Sequence, residues 1–226
     1  MSAIKFSYFY ERALARKGSE AALRERLPKP ASREQLLQLD DRQVLAEMTR
    51  CIFRAGFAWR VIENKWLGFD AAFAGFFPPY WQQVPPERLD ELARDERIVR
   101  NPQKIATVPV NARMIVEVAE KYGSFGAFLA DWPADDQAGL QMYLKKYGSR
   151  LGGTAAQHVL RRLGWDGYIY TPDTLTALRN HKLLDASEFS KRGMQQIQTA
   201  FNEWQTETGL PYCQLSRILS MTLDAR

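Results

Sequence analysis

Apolar positions along this chain recur at three- and four-residue spacing, and no stretch alternates convincingly with a period of two. That pattern predicts an all-α fold. The clearest case runs from Asp40 to Trp66, where Val44, Met48, Cys51, Ile52, Ala55, Trp59 and Ile62 form one stripe. Asp40 or Asp41 is suited to cap its start, because a short carboxylate can accept from the helix's first free N–H groups. Gly56 sits near the middle and costs about 1 kcal/mol relative to alanine in a helix interior. Two helices with a kink near Gly56 are therefore expected.

The rest of the chain reads in the same way. Residues 5–26 predict a helix, a break at Lys17-Gly18 and a second short helix, and Ser32 with Gln35 has capping-box spacing. Short helices separated by prolines follow over 68–97. Asn101-Pro102 predicts a helix start with the run continuing to about Tyr122, and Pro109 is expected to kink it. An apolar helix over Phe125 to Trp132 comes next. From Leu140 to Asp173 the pattern is a helix, a tight turn, a second helix and a short connection ending in an acid. Thr174–Asn180, a longer helix opened by Ser187 and ended by Gly209, and a last helix to about Leu223 complete it.

Composition narrows the class. With 226 residues, 46% of them apolar, the chain can bury a substantial core. Thirty-one basic against 26 acidic residues give a net charge of +5, compatible with a polyanionic partner but no proof of one. No apolar run is long enough to cross a bilayer, and MSAIKFSYFYERALARKG lacks the apolar core of a signal peptide. Cys51 and Cys213 suggest a reduced, cytoplasmic protein. Together with His158 and His181 they show no paired metal-ligand spacing, so neither a metal nor another cofactor is expected.

The chemistry concentrates at the turn within 140–173. Lys145, Lys146 and Arg150 crowd it, and Gly152-Gly153-Thr154 opens the helix that follows. Glycines let backbone approach a partner closely, and the unsatisfied N–H groups of a helix start carry the positive end of its dipole. Such a corner suits a phosphate. A plain helical connection with solvated lysines fits the turn alone equally well.

Two further stretches lift that ambiguity. Phe53-Arg54-Ala55-Gly56-Phe57-Ala58-Trp59 resembles the segment that lines the base pocket of the bacterial type I 3-methyladenine DNA glycosylases. Ile98-x-Arg100-Asn101-x-x-Lys104-Ile105 with Asn111-Ala112-Arg113 is similar to a second segment of that family. The turn at 145–155 then falls where the family's DNA-gripping hairpin would be. The resemblance implies the two-lobed helix-hairpin-helix glycosylase fold as a single domain over 1–226. Its lobes would be about 1–39 plus 165–226, and 40–164. It implies a monofunctional DNA-repair glycosylase that flips an alkylated purine, 3-methyladenine first, from double-stranded DNA and hydrolyses its glycosidic bond. A monomer with no membrane association is expected. The alternative is a catalytically inactive protein of the same fold that binds damaged DNA.

The same resemblance implies site residues. Trp59, Phe53, Cys51, Tyr8 and Tyr10 are candidates for the base pocket, and Lys145, Lys146, Arg150, Gly152, Gly153 and Thr154 for the DNA contact. Asp173 holds the place of the superfamily aspartate that stabilises the cationic sugar; by its local sequence it is also a good N-cap for a helix beginning at Thr174. Asp166 is its nearest competitor. Two departures stand out. The family's zinc-binding Cys and His are missing, and Cys51 occupies the position of the glutamate that bonds the methylated base. Glu47, one turn earlier, is the nearest acid.

Overall fold

The computed structural model describes residues 4–56 and 58–222, and among these there is no strand. The chain divides into two compact units: residues 1–30, 133–139 and 166–226, and residues 31–132 and 140–165.

The larger unit is built around α4 (Asp41–Arg54) and α10 (Thr107–Tyr122). Between them lie α5 (Trp59–Asn64), α6 (Trp66–Ala72), a 3-10 turn (Ala74–Phe76), α7 (Pro78–Trp81), α8 (Pro86–Leu92) and α9 (Pro102–Ile105). α3 (Arg33–Leu37) precedes α4, and α11 (Phe125–Asp131) follows α10; α12 (Gln137–Tyr147) and α13 (Thr154–Arg162) form the hairpin. Val44, Leu45, Met48, Ile52 and Phe53 of α4 are buried in one core with Val108, Ala112 and Ile115 of α10. Beside them Trp66, Phe69, Phe73 and Phe76 stack in sequence at 5.3–6.1 Å between ring centroids.

The capping predictions resolve in detail. Asp40 caps α4 by accepting from the N–H of Arg42, whereas Asp41 accepts from Phe125 at 2.9 Å and so ties α4 to α11. Ser32 and Gln35 form the expected capping box. The α4 stripe stops at Arg54, Gly56 takes φ +77°, and α5 starts three residues on; Phe57 of this motif lies outside the described residues.

The region around Pro109 departs from expectation. The break comes earlier, at Ala106 between α9 and α10, which leaves Pro109 in the first turn of α10. There its missing N–H costs nothing, because first-turn N–H groups have no helical partner.

The smaller unit packs α1 (Phe6–Lys17), α2 (Glu20–Arg24), α14 (Pro172–Asn180), α15 (Lys191–Thr208) and α16 (Tyr212–Ser220) around Phe6, Phe9, Phe201, Trp204, Leu215 and Ile218. Trp204 meets Phe9 edge-on at 5.2 Å and donates its indole N–H to Ile4. Two boundaries shift. α15 opens at Lys191 under a Ser190 cap, because the backbone N–H and hydroxyl of Ser190 both donate to the Ser187 carbonyl and hold 187–190 as a turn. α16 ends at Ser220, and the expected end near Leu223 lies outside the described residues.

Candidate active site

The turn between α12 and α13 is held from below. Leu151 is buried, and the Asn111 side chain, fully buried on α10, bonds both backbone groups of Ser149. A Cβ on Gly148 would lie 2.6 Å from Leu151 and 2.8 Å from the Leu144 carbonyl, so no side chain fits there. Of the two consecutive glycines only Gly153 needs its conformational freedom, at φ +59°, ψ −137°; the other left-handed residue of the turn is Arg150, at φ +55°. Arg150 donates to Gln103 at 2.7 Å. Lys145, Lys146, Arg150 and Thr154 are exposed, and Gly152 and Gly153 are half-buried. No side chain caps α13. Its first N–H groups thus face out among basic residues, the geometry an anion needs.

A cavity of about 320 Å³ opens beside this corner, lined by Cys51, Arg54 and Ala55 from the end of α4 and by Thr154, Ala155, His158 and Arg162 from α13. Two backbone features shape it. Lys104, largely buried, donates its ammonium to the carbonyls of Phe53 and Ala55 and so caps the end of α4. Asn101 caps α9 and sets Lys104 in place.

Around the cavity runs a charged chain. Glu63 accepts from Arg54 at 2.6 and 3.1 Å, and Glu47 accepts from Arg50 at 2.8 Å and from Arg162. Arg50 also lies over the Trp66 ring at 3.8 Å. Burial above all, with Glu47 adding to it, pushes the Cys51 thiol up to about 11 against the opposing pull of Arg162, Arg54 and Arg50. His158 is pushed below its ordinary value by desolvation first and then by Arg161, Arg54 and Arg162.

The residues singled out from sequence are distributed unevenly. Cys51 and Thr154 line this one cavity. Phe53 does not reach it: its ring is buried, edge-on against Phe69 at 4.8 Å. Trp59 begins α5 and is 60% exposed. Glu47 has both carboxylate oxygens engaged by arginines. Tyr8 and Tyr10 belong to the smaller unit, Tyr8 edge-on to His181 at 5.1 Å and Tyr10 within 3.4 Å of Glu20.

Asp173 also lies in that unit, in the first turn of α14. It does not cap the helix, as its local sequence suggested; Thr171 does, accepting from the N–H of Thr174 at 3.1 Å, because Pro172 rather than Thr174 is the first helical residue. The Asp173 carboxylate has no hydrogen bond or ion pair among the described residues. Asp166 accepts from the N–H groups of Tyr212 and Cys213 at 3.0 and 2.8 Å, a structural tie to the start of α16.

Arg54, His158 and Arg162 were absent from the sequence-derived site. A signal existed: Thr154, His158 and Arg162 follow one another at four-residue intervals and must share a face of α13.

A buried clamp beneath a basic hairpin, with a cavity at the start of its second helix, defines a helix-hairpin-helix glycosylase architecture. The chain is similar over 93% of its length to 94% of an 8-oxoguanine glycosylase/lyase from Methanocaldococcus jannaschii solved with DNA, at 15% identity and a TM-score of 0.52. It also matches 3-methyladenine DNA glycosylase I of Staphylococcus aureus at 22% identity and a TM-score of 0.50, over 62% of this chain and 80% of that one. A tyrosine-to-phenylalanine variant of 3-methyladenine DNA glycosylase I in complex with 3-methyladenine gives the same score at 22% identity, over 59% and 83%. The methyladenine glycosylase family model matches residues 35–155, and the chain belongs to that family. It is a DNA-repair glycosylase, and nothing favours the non-catalytic alternative. Among the described residues no group of three or more His, Cys, Asp or Glu gathers to hold a metal, and no helix is long and apolar enough to cross a membrane.

Proposed function

We propose that this chain, acting as a monomer in the cytoplasm, grips double-stranded DNA through the 145–154 hairpin and takes an extruded alkylated purine, 3-methyladenine foremost, into the Cys51 cavity. One observation carries the reading: α13 supplies both the uncapped N–H groups of the basic corner and, through Thr154, Ala155 and His158, one wall of the cavity. A backbone phosphate held at the helix start would set a neighbouring nucleotide beside that wall. Phosphate contacts of this kind fix register and carry no sequence information.

Extrusion costs a few kcal/mol, and an exposed aromatic such as Trp59 offers a face on which the opened stack or the base can rest. Phe53 supports the wall from within the core of the larger unit. Methylation leaves the base cationic and a good leaving group, so the remaining demand is to stabilise the developing sugar cation. Asp173, a carboxylate with no described partner, suits that role. Glu47, tied to two arginines, positions Arg162 instead of meeting the sugar.

The test is incubation of the protein with methylated duplex DNA and chromatographic identification of the freed base. Release of 3-methyladenine is expected, and it should disappear in Ala155→Trp, which fills the cavity while leaving the hairpin charges in place. Undiminished release by a folded Ala155→Trp protein would remove the cavity from the reaction.

A further inference from the structure

The polar lining of the Cys51 cavity carries one sign of charge. Arg54 and Arg162 face it with Thr154, His158 and Cys51, and among the described residues no Asp or Glu does. Glu63 and Glu47, the acids nearest to hand, are bonded to guanidinium groups and line no part of the cavity. With Arg50 the chain of ion pairs holds three guanidiniums against two carboxylates. Cys51 remains a neutral thiol below about pH 11, and desolvation with the nearby arginines favours the neutral imidazole of His158. Each cavity guanidinium is backed by a glutamate, so the wall adds little net charge and offers N–H donors where a carboxylate would offer an acceptor and a full negative charge.

That lining fits a particular kind of base. A purine with a carbonyl at C6 presents O6 and N7 as paired acceptors, the edge that arginine matches best. Its departure also needs what the cavity supplies. When the C1′–N9 bond of a neutral nucleotide breaks, the electron pair leaves with the base, which becomes an anion; nearby guanidiniums stabilise that charge. Water then bonds to C1′, and its proton ends on the released base. A cationic methylated base leaves neutral and gains nothing from the same groups.

We propose that Cys51, Arg54 and Arg162 extend this enzyme's substrates to neutral 6-oxopurines in DNA, with hypoxanthine, the deamination product of adenine, as the simplest. This rests on the reading of the cavity as the base pocket. The experiment uses the full chain on two duplexes, one with a single hypoxanthine and one methylated to carry 3-methyladenine, with freed bases quantified by chromatography for the wild type, Cys51→Glu and Arg162→Gln. Thermal melts check that each variant is folded. Wild type is expected to release hypoxanthine, and Arg162→Gln to lower that release tenfold or more. Cys51→Glu, which returns a carboxylate to the wall, should raise the ratio of 3-methyladenine to hypoxanthine release at least tenfold. Release of 3-methyladenine with hypoxanthine left in place overturns this inference and leaves the pocket intact. Release of both with the ratio unmoved in Cys51→Glu overturns the role of these residues. Release of neither overturns the pocket reading as well.

Discussion

Asn111 and Ser149 bond each other in both directions: the Ser149 N–H donates to Oδ1 at 2.7 Å, and Nδ2 donates to the Ser149 carbonyl at 3.3 Å. The pair joins the second turn of the central helix α10 to the hairpin turn, 38 residues later in the chain. Asn111→Ala leaves a donor and an acceptor beside a buried site without partners, at about 1–3 kcal/mol each. We expect a loss of about 2–4 kcal/mol in urea unfolding and weaker DNA binding as the turn loosens. An unchanged unfolding midpoint would mean that the turn holds itself.

The charges at the corner address the phosphate contact directly. Lys146 and Arg150 are exposed, so replacing both with glutamate should cost the fold little. DNA affinity should fall for every sequence tested, and the slope of log affinity against log salt should drop by about 2, roughly 0.9 for each lost phosphate contact. An unaltered slope would take the hairpin out of the interface.

Asp173 is a clean target because Thr171, and not Asp173, caps α14. Asp173→Asn keeps the side chain's shape and forfeits only a favourable first-turn charge, about 0.3–1 kcal/mol. Base release should fall at least tenfold while DNA binding and the melting temperature hold. Full activity in this variant would return the carboxylate to a structural role.

Cys51 makes a pH prediction. Its folded value of about 11 lies above the ordinary thiol value of 9.0, so the unfolded chain ionises first. The neutral thiol's contribution to stability is fully present below pH 9 and is lost as pH rises from there through 11. In the native protein the thiolate fraction at pH 8 is on the order of one in a thousand. Peptide-resolved labelling should therefore find Cys51 slow at pH 8 and about tenfold faster for each pH unit above it. Fast labelling at pH 7 in folded protein would show that the α4 wall is open to bulk water.

How far the chain could be read without coordinates differs between fold and site. The stripe of α4, a cap at Asp40 or Asp41, the Ser32 cap, the helix ends at Lys17 and Thr208 and the basic turn were all legible, because each depends on residues within a few positions of one another. Helix starts that turn on local competition were read less well: Thr171 over Asp173, Ser190 over Ser187, and a break before Pro109 instead of at it. For the two caps the choice lay between nearby residues of similar capping propensity, and for Pro109 it turned on the first turn of a helix tolerating proline.

The sequence by itself determined that this chain is helical, that its apolar stripes can close around cores, and that positive charge gathers at a glycine-containing corner. Periodicity and composition are local properties, and they survive without coordinates. Only the tertiary structure decided that Asn111 and Lys104 are the clamps behind the hairpin and the end of α4, and that Phe53 belongs to the core. It also decided which polar groups face the cavity. That last distinction is physical: Arg162 and Glu47 stand 115 residues apart, and whether an acid faces a cavity or is bound to an arginine depends on how distant helices pack.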